Sequence, residues 1–192
     1  MRILGIDTSL TGTGLALIDL ATWPPQNPPR QPDEPVRFGI QVCRVSAPKP
    51  TADKSKRAMA RRVRALIDQV EWCFKDDRPE HVGMEGLAYT AGNASAWVLA
   101  WVWGEVIALC EEYDVPLTIV APTARAKFAT GKGTASKDQV LAAAIKLFPE
   151  ADISDNNEGD AAIVGAVVCQ HLGLPILPVT SYRTEVMAKL GD

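Results

Sequence analysis

The chain has 192 residues, 47% hydrophobic and 22% charged, a composition that fits one folded domain with a real core and excludes a disordered or low-complexity chain. A net charge of -3 excludes an overall basic field, so any affinity for nucleic acid has to rest on local basic clusters. No apolar run reaches the roughly 20 residues of a membrane span, and the chain opens directly into a strand without a visible N-terminal signal, so a cytoplasmic protein is expected.

In chain order, residues 2–7 (RILGID) read as a strand ending in an acid, and 14–20 (GLALIDL) as a second strand reached through a Gly-containing turn. Residues 21–36 hold six prolines and are expected to form an extended surface loop within a single domain spanning 1–192. Residues 37–46 alternate like a third strand. Residues 53–74 read as a helix with an apolar stripe through Ala58, Arg61, Ala65, Ile67, Val70 and Phe74. A fourth strand is expected over 79–85, again ending in an acid, and an apolar helix over 93–113. That helix carries Trp97, Trp101 and Trp103; Trp97 and Trp101, i,i+4 neighbours, read as core, at least two of the three are expected there, and the set otherwise offers a dimer surface. A fifth strand covers 115–121. A helix over 136–148 opens on Ser136 with Gln139 as its capping-box partner, and Pro149 stops it. The last clear helix covers 158–172, and the tail from 173 reads as partly extended, then helical. Three strands followed by alternating helices and strands imply an α/β mixed sheet covered by helices. Cys43, Cys73, Cys110 and Cys169 lie apart in apolar runs and are expected to be buried free thiols, and His81 and His171 are too few for a histidine metal site.

Three acids stand out by position: Asp7 and Glu85 at strand ends and Asp160 near the start of the last clear helix. If the first and fourth strands are neighbours, Asp7 and Glu85 face one crevice and Asp160 closes it from the helix side. Carboxylate oxygens are the preferred ligands of Mg²⁺ and Mn²⁺, and clustered acids repel one another unless a cation is present. Each acid also has a purely structural role open to it: an Asx turn for Asp7, a solvated strand end for Glu85, and a dipole-favoured N3 site behind an Asn157 N-cap for Asp160. Basic residues cluster at 54–64, where Arg57, Arg61 and Arg64 share one helical face, and at Arg125, Lys127, Lys132 and Lys137. Both clusters suit phosphate contacts or plain solvation. Tyr89, close to Glu85, could stack on an unpaired base or be an ordinary loop aromatic.

Four segments in order resemble the RuvC Holliday-junction resolvases: ILGIDTSLTGTGLALID, VGMEGLAYTAGNASAWVLAWVWGEVIAL, GKGTASKDQV and NNEGDAAIVGAVV. The compact size and the NEGDA form are closer to phage-type members. The resemblance implies an RNase H-like five-stranded sheet, three antiparallel strands then parallel additions, flanked by helices. It also implies a homodimer that makes paired nicks in four-way DNA junctions with Mg²⁺ or Mn²⁺, two ions per site, leaving a 5′ phosphate. By motif, Asp7, Glu85 and Asp160 match metal-binding acids and Lys137 matches the basic residue near the reacting phosphate. The family's fourth acid falls on Asn157, which brings a carbonyl oxygen but no charge, with Asp155 or Glu158 as alternative donors. Two other functions stay open. One is a branched-DNA-binding module of the same fold with a weak site. The other is an actin-like phosphotransferase suggested by the Asp-Thr-Ser-x-Thr-Gly stretch, although 192 residues are few for two such domains.

Overall fold

The computed structural model describes residues 1–20, 34–87 and 96–190. Five strands form one sheet: β1 (Arg2–Asp7), β2 (Thr13–Leu20), β3 (Phe38–Val45), β4 (His81–Glu85) and β5 (Leu117–Val120). Their order is β3-β2-β1-β4-β5. β1 pairs antiparallel with β2 and β2 with β3, whereas β4 runs parallel to β1 and β5 parallel to β4. This is the mixed sheet expected from the element order. The helices are α1 (Lys56–Trp72), α2 (Ala96–Glu112), α3 (Pro122–Thr130), α4 (Lys137–Leu147), α5 (Asn156–His171) and α6 (Ser181–Met187). A π-helical turn, Cys73–Asp77, extends α1 and ends at Arg78 in a left-handed conformation (φ 49°). The Pro-rich stretch lies outside the described residues except for 34–36.

The sheet separates two cores. Strand side chains alternate between faces, so Leu4, Ile6, Val82 and Met84 turn toward α1 and α2, where Val63, Leu66, Val102 and Val106 complete one core. Ile3 and Ile18 turn the other way, into a core built on α5 with Phe128, Phe148, Val164 and Val168. Helix α5 is buried continuously from Glu158 to Cys169. Its run of Ala, Gly and Val fits a helix enclosed on all sides and lets it lie directly on the sheet. Two glycines permit that approach. A Cβ on Gly5 of β1 would sit 2.1 Å from the Ala161 carbonyl oxygen, and one on Gly14 of β2 would sit 1.9 Å from that of Asn157.

Several expectations need correction. The α1 stripe does not run through Arg61, which is exposed; Ala58, Val63, Leu66, Ile67 and Val70 form it, and residues 53–54 precede the Ser55 N-cap. Trp97 is not core: it is 42% exposed, because the buried stripe of α2 follows Val98, Val102, Val106 and Leu109, and only Trp101 and Trp103 pack against the core. Cys43 is exposed, lying at the sheet edge on β3, whereas the other three cysteines are buried. Helix α3 was not expected from the sequence. It is nine residues long, with no side-chain N-cap and no apolar period. Its one legible signature is Pro122 at the first turn and Gly131 in a left-handed C-cap (φ 80°). The last long helix starts earlier than expected, because Asp155 and not Asn157 is its N-cap; Asp160 therefore stands in the second turn and not at N3. No described helix is long and apolar enough to cross a membrane.

Candidate metal centre

Strand parity builds the site. Gly5 faces α5, so Asp7, two residues on, ends β1 on the same face. In β4, Gly83 faces Val164 and Val168 of α5, so Glu85 ends its strand on that face as well. The parallel register sets Ile6 beside Met84, which brings the next residues, Asp7 and Glu85, side by side at the strands' C-terminal ends. Asp160 lies one turn before Val164 on α5 and meets them from above the sheet. One carboxylate oxygen from each of Asp7, Glu85 and Asp160 lies within 4.8 Å of the other two. Trp103 of α2 donates its indole N–H to the Glu85 backbone oxygen at 3.0 Å and fixes the strand end, a positioning role absent from the sequence reading. The turn after Asp7 is tied by buried Thr13, whose Oγ1 donates to the Ser9 oxygen (2.6 Å) and accepts from the Ser9 N–H (3.0 Å).

Asp7 and Glu85 open onto a cleft of about 260 Å³ whose walls include Thr8, Ser9, Leu99, Lys137 and Asn157, with Asp160 buried behind them. Burial, then the Glu85 carboxylate, pushes the Asp7 carboxyl up to about 7, against the opposing pull of Arg125 and Lys137. Burial also raises Glu85, again opposed by Arg125 and Lys137. Lys137, the first residue of α4, is delivered to the cleft by the expected capping box of Ser136 and Gln139.

Arg125 overturns its sequence reading as part of a surface basic stretch. It is 7% exposed and inserted among the acids. Its Nε lies 3.1 Å from Glu85 Oε2, and its Nη1 is ion-paired with Asp160 Oδ2. Both nitrogens are buried and directed at carboxylates, so Arg125 is a buried counter-charge to Glu85 and Asp160. The missing α3 explains the misreading, since only a helix there turns Arg125 inward.

The alternative acids are spoken for. Asp155 accepts from the N–H groups of Asn157 (2.9 Å) and Glu158 (3.0 Å) and pairs with Arg44 at 2.8 Å. Glu158 Oε2 accepts from the Ser154 N–H (2.7 Å) and hydroxyl (2.8 Å). Both carboxylates serve the start of α5. Asn157 lines the cleft. Among the outer basic residues, Arg57, Arg61, Arg64 and Lys132 are exposed, with Arg61 paired to Asp53 at 2.9 Å. Lys127 is ion-paired with Glu185 of α6, which draws it toward the C-terminal helix. Tyr89 lies outside the described residues.

The residues fit a divalent cation. The donors are hard carboxylate oxygens, and one from each acid converges within 4.8 Å of the others.

Comparison with known proteins bears on the family and the fold. The RuvC crossover junction endodeoxyribonuclease of Chlamydia trachomatis serovar A is 30% identical over 121 residues, covering 62% of this chain and 71% of the relative. The chain belongs to the RuvC crossover junction endodeoxyribonuclease family. The RuvC of Chlorobium phaeobacteroides is 33% identical over 140 residues, covering 73% of this chain and 65% of the relative. The RuvC of Frankia alni is 28% identical over 172 residues, 90% of this chain and 78% of that one. The fold is that of RuvC: the Thermus thermophilus RuvC structure superposes with a TM-score of 0.67 at 19% identity, covering 93% of this chain and all of that one. T. thermophilus RuvC in complex with a Holliday junction substrate gives 0.65 at 18% identity, again over 93% of this chain and 100% of that one. No family model matches the chain.

Proposed function

We propose that this chain is a structure-selective endodeoxyribonuclease that resolves four-way DNA junctions by metal-dependent phosphodiester hydrolysis. The observation that carries the reading is the convergence of Asp7, Glu85 and Asp160 from two adjacent parallel strands and the overlying helix, within a RuvC family chain. Asp7, Glu85 and Asp160 would hold Mg²⁺ or Mn²⁺, which supplies Lewis acidity, activating a water and stabilising the departing 3′ oxygen. The three acids orient that cation at the bottom of the cleft. Lys137, at the cleft wall, meets the reacting phosphate and stabilises the charge that develops on it. The two-ion arrangement implied by the family resemblance needs ligands beyond the three acids, and the Asn157 carbonyl oxygen is the group at hand. The exposed Arg57 and Arg64 of α1 and the exposed Lys132 would hold flanking phosphates. A two-fold homodimer would set two such sites on opposite strands and give paired nicks.

The test is incubation of the protein with a labelled immobile four-way junction or a matched linear duplex, in Mg²⁺, Mn²⁺ or EDTA. Paired, metal-dependent nicks on the junction and an intact duplex are expected. Junction binding without a cut in either metal would reduce the chain to a branched-DNA-binding module, and equal cutting of both substrates would remove the structure selectivity.

A further inference from the structure

A buried arginine in the middle of a metal site needs a reason. Arg125 is 7% exposed, inside the acid cluster, and spans Glu85 and Asp160. Burying a guanidinium costs desolvation, which the two neighbouring carboxylates offset. Its two partners are both candidate metal ligands: Nε stands 3.1 Å from Glu85 Oε2, and Nη1 pairs with Asp160 Oδ2. A purely structural arginine in this molecule looks different. Arg183, also buried, donates from Nε to the Phe128 oxygen at 3.1 Å and from Nη1 to the Pro178 oxygen at 2.8 Å. Arg125 is paired instead with two of the clustered acids.

We infer that Arg125 is a resident cation of the metal site, standing in for a second divalent ion, so that the DNA-free protein takes one divalent ion per chain. In the form that binds metal the three carboxylates are ionised, and with one guanidinium among them the cluster carries two net negative charges, which one divalent ion neutralises. A second ion would have to enter beside a fixed positive charge, with neutral Asn157 as the remaining ligand at the wall. Arg125 occupies the Glu85–Asp160 side, and Asp7 stays open to the cleft for the ion. Without metal, the same guanidinium offsets part of the repulsion among the acids, so the cluster is held together before an ion arrives.

The inference rests on the metal reading of the three acids, and its test separates the two. Mn²⁺ binding to the DNA-free, full-length protein is measured by titration calorimetry, with thermal melting in EDTA and in saturating Mn²⁺, for wild type, Arg125→Met and Arg125→Lys. Wild type is expected to bind one Mn²⁺. Arg125→Met is expected to bind a second ion or to bind the first at least tenfold tighter, and to melt lower than wild type in EDTA with the deficit removed by Mn²⁺. Arg125→Lys, which keeps the charge, is expected to hold the count at one. Two ions on wild type, or an unchanged count and affinity in Arg125→Met, would overturn the inference while leaving the metal site intact. No Mn²⁺ bound by any of the three would overturn the metal reading itself. Should Arg125→Met fail to fold, the wild-type count and the Arg125→Lys titration still decide.

Discussion

Burial and the neighbouring Glu85 carboxylate lift the Asp7 carboxyl from 3.8 to about 7, and the consequence is a pH dependence with a definite sign. An acid whose folded-state pKa is raised favours folding in its protonated form. Its contribution is whole below the unfolded value near 3.8, declines as pH rises, and is gone above about 7. In EDTA, urea denaturation of wild type is therefore expected to lose about 3 kcal/mol of stability from this group between roughly pH 5 and pH 8. Asp7→Asn should flatten that decline, and an unchanged profile would show that Asp7 ionises freely. Metal reverses the direction, because the ion binds the ionised acids: Mn²⁺ affinity should tighten as pH rises toward 7 and level off above it. Asp155 makes the opposite case. Its oxygens face backbone N–H groups and Arg44, so Asp155→Ala should cost about 1–2 kcal/mol in chemical denaturation and leave Mn²⁺ affinity close to wild type. A large loss of metal affinity in that variant would return Asp155 to the ligand set.

Among the elements, α5 does the most to create the site, because it lays Asp160 against the ends of two strands. Its approach is possible only where the sheet carries no side chain. Gly5→Ala is expected to destabilise the protein by about 3 kcal/mol or more, since the new methyl meets backbone on α5 that cannot swing aside. Stability near wild type in that variant would mean that α5 can lift off the sheet at little cost. Strand ends and α5 were legible in the sequence because alternation, turn residues and small-residue composition are local signals. Strand parity was legible too, once the first and fourth strands are neighbours. Helix α3 was not: nine residues without period or side-chain cap leave no pattern, and the role of Arg125 was lost with it. The α5 N-cap was misassigned to Asn157 for a related reason. The segment from 155 to 158 offers four residues that can cap or sit in a first turn, and only the Ser154–Glu158 and Arg44–Asp155 contacts decide among them.

For the molecule as a whole, a net charge of -3 and a cleft walled by acids oppose DNA, so binding has to be won by basic residues placed away from the acids. Arg57 and Arg64 stand exposed on α1, whereas Arg61 is shared with Asp53. Arg57→Ala and Arg64→Ala are each expected to weaken junction binding and to lower the slope of log affinity against log salt by about 0.7–0.9, with Arg61→Ala smaller on both measures. An unaltered salt slope in all three would move the DNA path off α1. The exposed Trp97, stacked on Trp101 with Lys56 over its ring at 3.9 Å, is one feature of this face that the sequence reading had assigned to the core.

The central claim is that Asp7, Glu85 and Asp160 form the metal site that cuts a junction. Its most direct test is Mg²⁺-dependent nicking of a saturating labelled four-way junction by wild type and Asp7→Asn, with junction affinity measured on the same samples. The account predicts a rate loss of about a thousandfold or more in Asp7→Asn with affinity kept within a few fold. Cleavage by Asp7→Asn at the wild-type rate would contradict it.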